Sequence, residues 1–189
     1  IINKGIKRRI VKYEVHPFIN FKIPSSPVRE IDISLESFNK IRMAQPTEKK
    51  FRVAHDLFCL SFYLGGINLV DLLSIDFRNI EVLEYVRKKT RTTTQGKNTI
   101  SFTIPEAAKE IIKKWMNRNT GKLDFGYKFS YPNFSRYLTR SLASLAKRLG
   151  ITEKVVYYSA RKSFAQYASE IGIPDGIIDY CLCLLYTSP

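Results

Sequence analysis

From Phe51 to Leu64 the chain is apolar at helical spacing, and Gly65-Gly66 ends the run. A helix this apolar, with Ala54, Leu57, Phe58 and Leu64 as core candidates, commits the chain to a fold built on packed helices. Other segments agree. Ser34 is placed to cap a helix with Leu35, Phe38 and Ile41 inward, and Pro46-Thr47 breaks it. Leu69 to Ile75 reads as a short helix. Pro105 suits the first position of a helix carrying Ala108, Ile111, Ile112 and Trp115. Phe134, Leu138, Leu142, Leu145 and Leu149 form a helical stripe that Gly150 stops. Val82 to Lys88 and Thr99 to Ile104 read as strands, joined as a β-hairpin by a turn at Gln95-Gly96-Lys97-Asn98. The expected fold class is mainly α with a small antiparallel β-sheet (α+β).

The stretch Tyr158-Ser159-Ala160-Arg161-Lys162-Ser163-Phe164-Ala165 reads as a helix start with Ser159 as N-cap. Phe164, Ala168 and Ile171 follow at helical spacing, and Gly172 then Pro174 end the run. Arg161 and Lys162 would stand in the first turn, where the helix dipole disfavours cations. An anion resting on the free amides there would reverse that penalty. The alternative is that both side chains bend into solvent.

Lysine and arginine outnumber aspartate and glutamate by 31 to 17, a formal charge of +14. That favours a polyanionic partner, nucleic acid first and anionic membrane second. Two stretches concentrate the charge and contain no acid. Arg87 to Lys97 holds Arg87, Lys88, Lys89, Arg91 and Lys97. Gly126 to Thr152 holds Lys128, Arg136, Arg140, Lys147 and Arg148. A field built for phosphates explains this exclusion. Lysines that protect an edge strand explain the first stretch equally well. No apolar run approaches the ~20 residues of a membrane-spanning helix, and the opening Ile1-Ile2-Asn3-Lys4 has neither an initiator Met nor a signal-peptide core. An excised fragment or incomplete chain is expected. Residues 1–30 are basic and poorly periodic. Cys59 suits a core position, while Cys181 and Cys183 lack the partners a metal site needs. A reducing cytoplasm fits.

The order of these pieces resembles the catalytic domain of tyrosine recombinases, the phage-integrase type, from about Ser34 to Leu182. It is most similar to divergent integrases of conjugative transposons and related mobile elements. Four places carry the likeness. Tyr63-Leu64-Gly65-Gly66-Ile67-Asn68-Leu69-Val70-Asp71-Leu72-Leu73 resembles the first box. Glu84-Tyr85-Val86-Arg87-Lys88-Lys89-Thr90 resembles the strand with the catalytic Lys. Tyr158-Ser159-Ala160-Arg161 resembles the second box, His-x-x-Arg, and Asp179-Tyr180-Cys181-Leu182 resembles the approach to the third.

The resemblance implies a Tyr hydroxyl that attacks a DNA phosphodiester and forms a 3′-phosphotyrosyl link. Arg forks hold the non-bridging oxygens, and a Lys protonates the departing 5′-oxygen. Removing one such donor costs roughly 10²–10³-fold in rate. Catalytic candidates under this reading are Arg161, Lys89, Arg87, Tyr158, Asn68 and Asp71. Arg161 matches the second-box Arg, Lys89 the hairpin Lys with Lys97 in reserve, and Asp71 the orienting acid. Asn68 stands where the first Arg is expected, and Arg87 is a candidate replacement. Tyr158 stands where the second-box His is expected. Lys88, Arg91, Lys97, Arg136, Arg140 and Lys162 are candidates for contacting DNA. No metal and no cofactor is implied.

The implied organisation is the end of a core-binding domain and linker over 1–30, a catalytic domain over 31–182 and a tail over 183–189 that departs from the family. Past Leu182 the family would give Gly-His and then the nucleophilic Tyr, whereas this chain ends Cys183-Leu184-Leu185-Tyr186-Thr187-Ser188-Pro189. The polypeptide is therefore expected to bind double-stranded DNA without cleaving it. It is expected to be a monomer, although the family tetramerises on DNA, and no membrane role is expected. The competing readings are a non-catalytic DNA-binding module with the same fold and a basic RNA- or ribosome-associated protein.

Overall fold

The computed structural model of the protein describes residues 2–10, 31, 33–88 and 99–182. The chain divides into two units, Ile1–Glu30 and Ile31–Pro189. In the first unit a short helix, α1 (Ile2–Lys7), lies in the stretch that reads as poorly periodic. The second unit holds the other elements.

Its central element is α3 (Lys49–Tyr63), the apolar run of the sequence. Phe51, Val53, Ala54, Leu57, Phe58 and Leu60 are all buried, so apolar residues face out on several sides of the helix. Such a helix needs several partners. It packs against α2 (Leu35–Met43), α5 (Glu106–Trp115), α6 (Tyr131–Arg148) and α7 (Tyr157–Glu170). Cys59 is buried among them as a free thiol.

Ser34 caps α2 as expected, its hydroxyl accepting from the Ser37 N–H at 3.2 Å. Phe38 and Ile41 face inward, but Leu35 is 54% exposed. Leu35 is the first helical residue, and the cap turns it away from the core. Glu153, just before α7, ties this corner down. It accepts from the Ser34 N–H at 2.7 Å and from the Ser37 hydroxyl. The Tyr167 hydroxyl adds a bond to the Ile33 carbonyl at 2.8 Å.

Strands β1 (Val82–Val86) and β2 (Thr99–Thr103) pair antiparallel, with Val82 opposite Thr103 and Val86 opposite Thr99. Alternation puts Leu83, Tyr85 and Ile100 into the core. The loop between them, including the expected turn at 95–98, lies outside the described residues. Two helical boundaries differ from expectation. Pro105 is the N-cap of α5 rather than its first residue. Helix α4 (Leu69–Leu72) stops short of Ile75, where the Ser74 hydroxyl turns back onto the Asp71 carbonyl at 2.8 Å.

The start of α7 also differs. Val156 is the N-cap, and Ser159 is the third helical residue, its hydroxyl accepting from the Val156 N–H at 3.1 Å. Ser159 still satisfies an end of the helix, but from inside it. Arg161 and Lys162 consequently stand in the second turn, past the free amides. The last described element is α8 (Asp175–Cys181), where Ile178 and Leu182 pack against Ala168. The Tyr180 hydroxyl accepts from the Ser101 N–H at 3.0 Å, pinning α8 to the outer edge of β2.

Candidate functional site

Four segments, far apart in sequence, wall one cleft of about 450 Å³. Helix α4 contributes Asn68 to Asp71, and the exit of β1 contributes Arg87. Helix α6 contributes Tyr131, Ser135 and Thr139. The start of α7 contributes Val156, Tyr157 and Tyr158. The α6 residues recur every fourth position, which lines them up on one helix face.

Asn68 is the N-cap of α4, and its side chain makes no cap bond. Three residues on, Asp71 is 2% exposed and turns its carboxylate to the hairpin. Its Oδ1 accepts from the backbone N–H of Lys88 at 2.9 Å. This bond fixes the chain one residue past Arg87, so the first-box segment positions the strand cation. Tyr157 is also structural, donating to the Ile67 carbonyl at 3.0 Å. Burial pushes its phenol well above the usual range. Burial and the neighbouring Asp71 raise Tyr131 as well. Tyr158, by contrast, is 46% exposed at the cleft edge.

Arg161 is only 5% exposed, and solvent does not take its side chain. Its guanidinium spans two carbonyls, Nη1 donating to Gly66 at 2.8 Å and Nη2 to Leu182. It does not line the cleft. It joins α7 to the turn after α3 and to the end of α8. That turn carries Gly65 and Gly66, both with φ near +70°. A Cβ on Gly66 would stand 2.9 Å from Arg161 Cγ and 3.0 Å from Arg161 Cα. The double glycine thus ends α3 and also admits α7.

Among the other candidates, Lys88 is exposed and Lys162 is half-buried on α7. Arg136 and Arg140 are exposed on α6. Each follows a cleft residue, Ser135 or Thr139, by one position, so both stand ~100° round the helix from the cleft wall. Lys89, Arg91 and Lys97 lie outside the described residues. Sequence reasoning did not find Tyr131, Ser135 and Thr139. The signal was a polar row at four-residue spacing beside the apolar stripe of α6.

The lining can hold an anion through the Arg87 guanidinium, the Asn68 amide and the hydroxyls of Ser135 and Tyr158, whereas the Thr139 hydroxyl donates to the Ser135 carbonyl at 2.9 Å. Among the described residues the lining has no His or Lys to take or give a proton near pH 7. No helix of the described residues is long and apolar enough to cross a membrane.

No family model matches the sequence. No curated protein matches it either. Solved structures do. A crystal structure of XerA recombinase is 13% identical with a TM-score of 0.54, covering 94% of this chain and 64% of that one. A lambda integrase dimer bound to a COC′ core site is 16% identical with a TM-score of 0.59, covering 96% of this chain and again 64% of that one. The chain thus spans less than two thirds of the length of each. Both are tyrosine recombinases, and the expected fold is the one found: mostly helical, with a two-stranded antiparallel sheet.

Proposed function

We propose that this chain is the catalytic-domain part of a site-specific DNA recombinase of the mobile-element kind, and that its cleft receives a DNA phosphodiester. The observation that carries this reading is the meeting of Asn68, Asp71, Arg87 and Tyr158 at one cleft from three separate sequence boxes. Arg87 supplies the charge that Asn68 lacks, and Asp71 holds the backbone beside it. Arg136 and Arg140 flank the cleft as contacts for neighbouring phosphates. Arg161 supports the site from behind as a positioning residue. Lys89, in the segment after Lys88, is the proposed general acid for the 5′-oxygen. Residues 1–30 fit the end of a DNA-clamping domain with its linker, and 31–182 the catalytic domain.

The test is fluorescence anisotropy with a labelled double-stranded DNA over a series of salt concentrations. Binding should weaken steeply with salt, and the double variant R136A/R140A should lower the logarithmic slope by about 2, near 0.9 per lost phosphate contact. Arg87→Ala should weaken binding at every salt concentration. A parent protein that ignores duplex DNA at low salt, or an Arg87→Ala variant that binds like the parent, would refute the reading. A second reading, a DNA-binding module that keeps the fold without the chemistry, draws on Asn68 and Tyr158, which stand where the resemblance expects Arg and His. A longer sequence of the gene separates the two: Gly-His and a further Tyr beyond Leu182 would contradict the second reading.

A further inference from the structure

Beside the phosphate cleft lies a second one, of about 360 Å³, with different walls. Its lining is aromatic: Tyr127, Phe129, Tyr131 and Phe134 face it. Three of these rings, Tyr127, Phe129 and Phe134, form part of a continuous cluster. Tyr127 and Phe129 stack with centroids 5.4 Å apart and planes 14° apart, and Tyr127 also reaches Phe134 at 6.4 Å. At the mouth the aromatic surface stays open to water, with Phe129 49% and Tyr131 46% exposed. Open aromatic faces at a rim offer a stacking platform to another flat ring.

Two charged residues narrow the choice of ring. Asp124 lines the cleft, its Oδ1 accepting from the Gly126 N–H at 2.8 Å and its Oδ2 from the Asn117 amide at 3.3 Å. The Gly126 and Asn117 bonds keep this carboxylate ionised. It repels a phosphate, and its remaining lone pairs can accept from an amino group. Lys88 on the same lining can donate to a ring carbonyl or to an adjoining phosphate. Val70 and Tyr131 line both clefts, so a group in one is continuous with a group in the other.

We propose that the aromatic cleft holds one unpaired nucleobase of the DNA whose phosphate occupies the neighbouring cleft, stacked on Phe129 and Tyr131 with its amino group toward Asp124. The inference rests on the DNA-binding reading. Stacking explains what the aromatic rim does, and the carboxylate explains why a base rather than a phosphate enters. A cleft that takes an unpaired base favours DNA that is locally opened or distorted over an intact duplex.

The experiment measures the affinity of the full chain for two labelled DNAs, a matched duplex and the same duplex carrying one bulged adenine. The parent should prefer the bulged DNA. Phe129→Ala should lose about 5- to 150-fold on the bulged DNA, the range for removing one base-stacking ring. The same variant should bind the matched duplex like the parent, which also shows that it is folded. Phe129→Trp, which keeps a stacking face, should retain the preference. Equal parent affinity for the two DNAs overturns the base site, as does a Phe129→Ala variant that keeps the preference. Either result leaves duplex binding standing. A parent that binds neither DNA overturns both the base site and the reading it rests on.

Discussion

Gly66→Ala tests the packing behind the cleft, and Gly172→Ala is its control. Both glycines have positive φ, +73° and +81°, so each substitution carries the strain of a left-handed alanine, about 1–2 kcal/mol. They differ in surroundings. A Cβ at Gly172 meets nothing within 4 Å. At Gly66 it meets Arg161 Cγ at 2.9 Å, Arg161 Cα at 3.0 Å and Leu182 Cδ2 at 3.1 Å. The Arg161 Cα is backbone within α7 and cannot swing aside, so the helix must shift. Overpacking of this kind costs typically 1–3 kcal/mol. The shift also strains the bonds of Arg161 to the Gly66 and Leu182 carbonyls. Gly66→Ala should therefore lose about 2–5 kcal/mol, against about 1–2 kcal/mol for Gly172→Ala. Urea unfolding followed by circular dichroism reads the difference as separate midpoints at unchanged slope. If the two variants unfold at the same urea concentration, α7 does not approach the glycine turn as described, and the positioning role of Arg161 falls with it.

Two further predictions concern buried charge. His55 bonds Asp56 at 2.8 Å and faces Cys59 and the Arg42 carbonyl; burial opposes its charge, but the Asp56 bond and the nearby Cys59 outweigh this and raise its pKa to about 10. Because the folded value lies above the unfolded one, its stabilisation is full below about pH 6.5 and is lost as pH rises toward about 10; thermal melts across that window should slope downward in the parent and flatten in His55→Gln. Asp71→Ala should cost about 1.5–3 kcal/mol by leaving the Lys88 N–H without its carboxylate, whereas Asp71→Asn, whose amide oxygen can accept the same bond, should lose less than half as much in urea unfolding.

The elements most legible in the sequence were those with strong periodicity and a glycine stop. Helix α3, the α6 stripe and the alternation of β2 all carry their own pattern, which tertiary contacts only confirm. Boundaries were harder. Val156 has no capping side chain, so Ser159 looked like the cap, and only the bond from Ser159 back to Val156 shows it already inside the helix. The cleft was half legible. Asn68, Asp71, Arg87 and Tyr158 stand in motif order, and motif order survives in sequence. Tyr131, Ser135 and Thr139 belong to no motif and reach the cleft only because α6 packs on α3. The place of Arg161 was not legible at all. An arginine beside a helix start reads the same whether its fork meets a phosphate or two carbonyls.

The two buried charges near the cleft do the same kind of work. Asp71 spends its carboxylate on the backbone at Lys88, and Arg161 spends its guanidinium on the carbonyls of Gly66 and Leu182. Both join segments that no regular secondary structure links. Among the described cleft residues Arg87 is the cation on the lining, where a pair of forks would grip a phosphate more firmly. The balance of attraction then shifts outward, to Lys88 after β1 and to Arg136 and Arg140 on α6. Under the proposed DNA-binding reading, such a surface would bind duplex DNA chiefly through its backbone charge, weakly selective and strongly salt-dependent. Selectivity would then have to come from a group that reads something other than charge, the role proposed for the aromatic cleft that shares Val70 and Tyr131 with the first cleft.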